Sequence, residues 1–188
     1  MALSINDVKS GLTVLVEGEI YQIIEFQHVK PGKGAAFVRV KLRNLRTSNV
    51  LEKTFRGDEK IEEAYIEERK LQYQYTTGDM YHFMAQDNYE ELAISKDTLG
   101  NKVKFLKDNI EVTSYSYKDE VLSVNLPNFI ECSIKHTEPG IKGDTAKSGT
   151  KPAEIETGAI IQVPLFVDID DRIKVDTRTG TYVERVTG

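Results

Sequence analysis

Short runs of alternating apolar and polar residues recur from Leu12 to Val186, and each is cut off by a turn signal. Val38, Val40 and Leu42 alternate with Arg39, Lys41 and Arg43. Ile130, Cys132 and Ile134 alternate with Glu131 and Ser133. Ile161, Val163, Leu165, Val167 and Ile169 keep the same period, and Ile173 and Val175 repeat it. A period of two marks a strand with one buried face. Glu17-Gly18, Thr77-Gly78-Asp79, Lys118-Asp119 and Thr177-Arg178-Thr179-Gly180 supply the reversals between runs. The best helix candidate is Thr98 to Lys107, where Leu99, Val103 and Leu106 fall at helical spacing. Many short strands at close spacing, without a long helical period, predict an all-β chain built from small barrels.

Two interruptions divide the 188 residues. Asp58 to Arg69 is dense in charge, with no His or Cys beside its carboxylates at ligand spacing, and reads as a solvated boundary. Pro127 marks the other. The expected domains are 1–63, 64–126 and 127–188. A unit of about sixty residues buries only ~60% of the surface its unfolded chain exposes, so the blocks are expected to pack on one another. In the middle block Leu71, Tyr73 and Tyr75 are expected on one face. In the last block Cys132 is expected in a core, as a small apolar filler.

One hairpin stands out by charge. Ile20 to Phe26 and Val38 to Arg43 read as strands, and between them Pro31-Gly32 and Gly34 force a tight reversal with Lys33 at its tip. From Phe26 to Leu51 there is no Asp or Glu, while Lys30, Lys33, Arg39, Lys41, Arg43 and Arg46 are cationic. The net charge of the chain is -5, so removing these six cations leaves -11. A cationic window on an anionic protein is the electrostatic footprint of phosphate binding. On charge alone, a solvated basic strand face is an equal reading. The small residues Gly34, Ala35 and Ala36 beside Lys33 leave room for its side chain to enter a confined space or to be modified.

Enzymatic and membrane classes fit poorly. Gly32-Lys33-Gly34 lacks the Ser or Thr that must follow the lysine of a phosphate-binding loop. There is no nucleophile elbow, no HExxH and no Cys/His cluster, and His28, His82 and His136 are isolated along the chain. His82 lies within a strand and is expected to be structural. No apolar run approaches the ~20 residues of a membrane helix, and Met1 to Lys9 has no signal-peptide core. A single cysteine excludes an internal disulfide and fits a reducing cytoplasm. Composition and pattern stop at a cytoplasmic, multi-barrel, nucleic-acid-facing binding protein. A general single-stranded RNA-binding protein remains open beside it, although the tyrosines are spread rather than clustered.

Three ordered stretches carry a closer resemblance. They are Lys30-Pro31-Gly32-Lys33-Gly34-Ala35-Ala36-Phe37 with Val38 to Arg43, Glu138-Pro139-Gly140-Ile141-Lys142-Gly143-Asp144-Thr145, and Lys151-Pro152-Ala153 followed by Thr157-Gly158, Val163-Pro164-Leu165-Phe166-Val167 and Ile173 to Arg178. In these the sequence resembles the bacterial elongation factor P family nearly end to end. One departure is Asp170, where the family signature usually has glycine. Asp tolerates left-handed backbone better than most residues, so a local change without loss of fold is expected.

The resemblance implies three small β-barrels in an elongated arrangement, an N-terminal SH3-like (KOW-like) barrel followed by two OB-fold barrels. It implies a non-enzymatic, monomeric, cytoplasmic factor without cofactor, metal or membrane. Its partner would be the 70S ribosome, occupied between the peptidyl-tRNA and exit sites, where it relieves stalling at consecutive prolines. Lys33 matches the family's modified lysine, which reaches the CCA end of the P-site tRNA. In relatives it carries β-lysine or an aminopentanol group, and hypusine in the archaeal and eukaryotic homologue; the residues do not choose among these, but all imply a lysine-modifying enzyme. Lys30, Arg39, Lys41 and Arg43 would hold tRNA phosphates. Gly143, Asp144 and Thr145 match a loop facing mRNA at the exit-site codon. Tyr182 and Arg185 match positions facing the small subunit, although strict alternation would put them on opposite faces.

Overall fold

The computed structural model describes residues 2–32, 34–140 and 149–186. By packing, the chain falls into two compact units, Met1–Glu68 with Ser114–Ser123, and Arg69–Thr113 with Val124–Gly188. Almost all the regular structure is antiparallel strand, in three sheets that curl into half-closed to near-closed barrels.

The first sheet takes β1 (Ala2–Leu3), β2 (Thr13–Val16), β3 (Glu19–Val29), β4 (Phe37–Asn44), β5 (Val50–Arg56) and β6 (Ile61–Glu63) in the order β1-β6-β2-β3-β4-β5. A single 3-10 turn, Ile5–Asp7, precedes β2. Ser4 begins it, its amide and hydroxyl both donating to the Asp7 carboxylate at 3.1 and 2.6 Å. Ile5, Val14, Ile23, Val38, Val40, Leu42, Phe55 and Ile61 meet inside the barrel. After β4, the buried Asn44 caps the turn, its side-chain oxygen accepting from the amides of Arg46 and Thr47 at 2.8 and 2.9 Å.

The second sheet runs β11-β10-β7-β8-β9, from β7 (Glu67–Thr77), β8 (Met80–Ala85), β9 (Glu91–Ser95), β10 (Glu111–Tyr117) and β11 (Glu120–Asn125). The helix expected over 98–107 forms differently. A four-residue α1 (Lys96–Leu99) starts where Ser95 accepts the Thr98 amide, stops at Gly100 with φ +57°, and gives way to a 3-10 segment, Gly100–Phe105. Leu99 and Phe105 are still buried. The shared face of Leu71, Tyr73 and Tyr75 is also corrected. A bulge at Gln74 pairs Tyr73 with Phe83 but Tyr75 with His82, so Tyr73 is buried while Tyr75 turns out to solvent. There it stacks on the His82 ring, with centroids 4.3 Å apart. Glu91 accepts from both, from Tyr75 at 3.0 Å and at His82 Nδ1 at 2.7 Å, and these bonds, His82's first, hold its carboxyl below the usual range. His82 is thus tied into a surface network.

The third sheet runs β14-β13-β12-β15-β16, from β12 (Phe129–Thr137), β13 (Thr150–Ile155), β14 (Ile160–Pro164), β15 (Arg172–Asp176) and β16 (Thr181–Arg185). Its end strands β14 and β16 lie against each other. The alternation read through Ile169 leaves the strand at Pro164, whose carbonyl accepts the Val167 amide in a turn. Cys132 is buried in this core, and burial pushes its thiol up to about 12, far from thiolate chemistry at neutral pH.

Asp170 sits at φ +69°, the left-handed conformation expected of a residue replacing glycine. Its amide donates to the Ile134 carbonyl at 2.9 Å, holding the turn against β12. Asp170→Gly relieves left-handed strain but adds freedom to the unfolded chain, two terms of about 0.5–1 kcal/mol each. It is expected to leave the urea midpoint nearly unchanged. Asp170→Val, β-branched at the same φ, is expected to cost about 1–2 kcal/mol.

Candidate nucleic-acid interface

Strand β4 carries the candidate surface because its alternation is unbroken. Val38, Val40, Leu42 and Asn44 point inward, and Arg39, Lys41 and Arg43 outward. The neighbouring β3 pairs with it from Tyr21↔Asn44 to Val29↔Phe37, with one bulge at Ile24. Beyond Val29 and Phe37 the chain turns through Lys30-Pro31-Gly32 and Gly34-Ala35-Ala36, and Lys30 is exposed. Gly34 has φ +116°, a conformation that a side chain would strain, which explains a glycine beside the tip. Lys33 itself lies outside the described residues.

The register decides which cations are free to meet a phosphate. Arg39 lies between Gln27 of β3 and Thr54 of β5, and Arg43 between Gln22 and Val50. Lys41 lies between Glu25 and Glu52, and its Nζ is 3.6 Å from Glu25. The carboxylate-free window therefore does not survive folding intact. Its limits fall one residue short of two glutamates, and antiparallel pairing brings both beside Lys41. Arg46, in the turn after β4, donates to Glu120 at 2.9 Å. Among the described residues, Lys30, Arg39 and Arg43 make no ion pair. Exposed pairs such as Lys41–Glu25 are worth ~1 kcal/mol or less, so a phosphate can displace the glutamate.

Tyr182 and Arg185 depart from the expected alternation. Tyr182 pairs with Val175 and Arg185 with Ile173, because a bulge at Val183 adds a residue between them. Val175 and Ile173 share the buried face of β15, so Tyr182 and Arg185 lie on one face and not on opposite faces. Arg185 stands over the Phe166 ring at 5.7 Å and is 3.5 Å from Asp171.

Gly143, Asp144 and Thr145 lie outside the described residues, but both ends of their connection are placed. Lys151 of β13 is buried, in phase with Ala153 and Ile155, and donates to the Glu138 carbonyl at 2.8 Å, with Asp168 at 3.7 Å. Gly140 and Gly149 close around Leu165, whose amide donates to the Gly149 carbonyl at 3.2 Å. In the sequence Lys151 stands only as part of the third stretch of resemblance, with no role of its own. The available signal was a lysine in phase with a buried apolar pair.

Comparison with known proteins follows the same three sheets. Residues 4–61 match the family model of the elongation factor P KOW-like domain, 66–124 that of the elongation factor P OB domain, and 130–185 that of the elongation factor P C-terminal domain. Elongation factor P of Natranaerobius thermophilus is 53% identical over 183 residues, covering 97% of both chains. That of Pelotomaculum thermopropionicum is 53% identical over 184 residues, covering 98% of this chain and 100% of the relative. The chain belongs to the elongation factor P family. It is a translation elongation factor, all-β, with a KOW-like barrel followed by OB folds. Among solved structures, eukaryotic translation initiation factor 5A from Methanococcus jannaschii shares the fold at a TM-score of 0.53 and 24% identity, covering 66% of this chain and 93% of that one. An initiation factor 5A family protein from Naegleria fowleri does so at 0.54 and 16% identity, covering 67% and 98%. Among the described residues, no helix is long and apolar enough to cross a membrane.

Proposed function

We propose that the chain binds the 70S ribosome between the peptidyl-tRNA and exit sites and promotes peptide-bond formation where consecutive prolines stall it. The observation that carries this reading is the outward face of β4. Arg39 and Arg43 stand there with no opposing carboxylate, on a protein of net charge -5, on a strand that follows Lys33 in the sequence. Lys30, Arg39, Lys41 and Arg43 hold tRNA phosphates, Lys41 by exchanging Glu25 for one. Lys33, extended by a modifying enzyme, reaches the CCA end. Gly143, Asp144 and Thr145 face mRNA at the exit-site codon, and Tyr182 with Arg185 faces the small subunit from one surface. The functional divisions are 1–63, 64–126 and 127–188, in a monomer acting in the cytoplasm.

Such a factor performs no bond chemistry of its own. Proline is a poor donor and acceptor, and its ring misplaces the peptidyl-tRNA. Fixing the tRNA end in a reactive geometry lowers the barrier through orientation, a term that reaches several kcal/mol in favourable cases, on the order of 7–11 at its largest. Lys33→Ala is expected to keep the wild-type melting curve and to abolish rescue of a polyproline reporter in cells lacking the native factor. Rescue at the wild-type level by that variant would overturn the proposal.

A further inference from the structure

A cleft of about 490 Å³ opens in the second unit between the 3-10 segment Gly100–Phe105 and the third sheet. One wall carries Asn101, Lys102 and Lys104; the other is Ala159 to Ile161 and the turn from Thr177 to Gly180, with Arg178 in it. The walls are fixed to each other. Thr157 donates to the Lys104 carbonyl at 2.6 Å, and Lys107 donates to the Glu131 carbonyl at 2.6 Å. Phe105 packs so closely on Gly180 that a Cβ there would stand 3.4 Å from its ring.

Three cations line this cleft, and among the described residues no carboxylate does. Arg178 is already committed. Its guanidinium grips Asp176 at 2.6 and 3.0 Å, and those bonds pull the Asp176 carboxyl down to about 2. Lys102 and Lys104 make no ion pair among the described residues. Lys102 is half-buried, and burial lowers its pKa, so the fold bears the cost of a desolvated ammonium without a counter-charge. An anion entering the cleft would repay that cost, and low-dielectric walls strengthen the attraction. The volume falls within the range of ligand sites, about 300–1,000 Å³, and Ile160, 72% exposed at the rim, offers apolar surface to a sugar or base.

We propose that this cleft, with Lys102 and Lys104 as its ligands, seats a backbone phosphate of ribosomal RNA. This inference rests on the ribosome-bound reading above, and it uses elements that the hairpin does not. The test measures binding of the full chain to purified 70S ribosomes across a potassium chloride series. The double variant Lys102→Gln/Lys104→Gln is expected to bind about threefold to tenfold more weakly, with a log–log salt slope shallower by about 1 per lysine. Lys102→Arg/Lys104→Arg is expected to restore both, and circular dichroism melts of all three proteins to coincide. A photocrosslinker at Ile160, Ile160→p-benzoylphenylalanine, is expected to capture ribosomal RNA, and capture of tRNA in its place overturns the cleft site. Unchanged affinity and slope in the glutamine variant, or capture of ribosomal protein alone, overturns the cleft site and leaves the family reading standing. Failure of the wild-type chain to bind ribosomes overturns both.

Discussion

Leu42→Ala is expected to lower the stability of the first barrel by about 3–5 kcal/mol, while Arg39→Gln, on the same strand, changes it by no more than about 0.5 and weakens ribosome binding. Leu42 is fully buried and paired across the sheet with Ile23 and Leu51. Truncation there removes transfer energy and leaves a cavity between strands whose hydrogen bonds resist collapse. Arg39 is exposed between Gln27 and Thr54, so its removal uncovers no buried group. If it holds a phosphate, Arg39→Gln flattens the salt dependence of ribosome binding by about one unit of slope. Arg39→Lys retains the charge but loses the fork, and recovers the slope more fully than the affinity. Amide hydrogen exchange in β3, β4 and β5 reads the first barrel without averaging over the rest of the chain. Equal destabilisation by Leu42→Ala and Arg39→Gln would mean that β4 is not split into a structural face and a binding face.

How much of this was legible in the sequence depends on whether the pleat keeps count. β4 was readable because every residue from Phe37 to Asn44 advances the alternation by one, and Pro31-Gly32 with Gly34 announces the reversal before it. Counting fails wherever a bulge inserts a residue. Gln74 sends Tyr75 to solvent, and Val183 brings Tyr182 and Arg185 to one face. Neither residue is a glycine, and nothing in the flanking side chains marks the extra position. Leu99, Val103 and Leu106 have helical spacing, yet Gly100 in a positive-φ conformation ends α1 after one turn; here the breaker was in plain view. The charge window failed for another reason. A linear window cannot see that Glu25 and Glu52 flank Lys41, since that proximity belongs to the register. The Lys102 cleft was invisible for the same reason, its walls lying more than fifty positions apart in sequence. Asp170 was the opposite case. A single substitution in a turn predicted its own backbone angle, because few residues other than glycine accept φ near +69°.

Gly140→Ala is expected to cost about 1–3 kcal/mol, and Gly149→Ala about 0.5 or less, although both glycines pack against Leu165. The difference lies in which atom must yield. A Cβ on Gly140 would stand 2.5 Å from the Leu165 carbonyl oxygen and 3.2 Å from its Cβ, so backbone would have to move. That backbone is held. The Leu165 amide donates to Gly149, and the Glu138 carbonyl, two residues before Gly140, accepts from the buried Lys151 ammonium. A Cβ on Gly149 meets Leu165 Cδ1 at 3.3 Å and Cγ at 3.6 Å, atoms of a side chain that can turn to another rotamer. Neither glycine has a positive φ, so contact, not backbone conformation, sets both costs. Urea titrations followed by circular dichroism, with hydrogen exchange at β12 and β13 to locate the loss, measure the pair. The Gly140 penalty should shrink when Lys151→Met is added, since an unclamped Glu138 lets the strand end retreat from Leu165. A strictly additive double variant would mean that Lys151 does not hold this end of the connection in place.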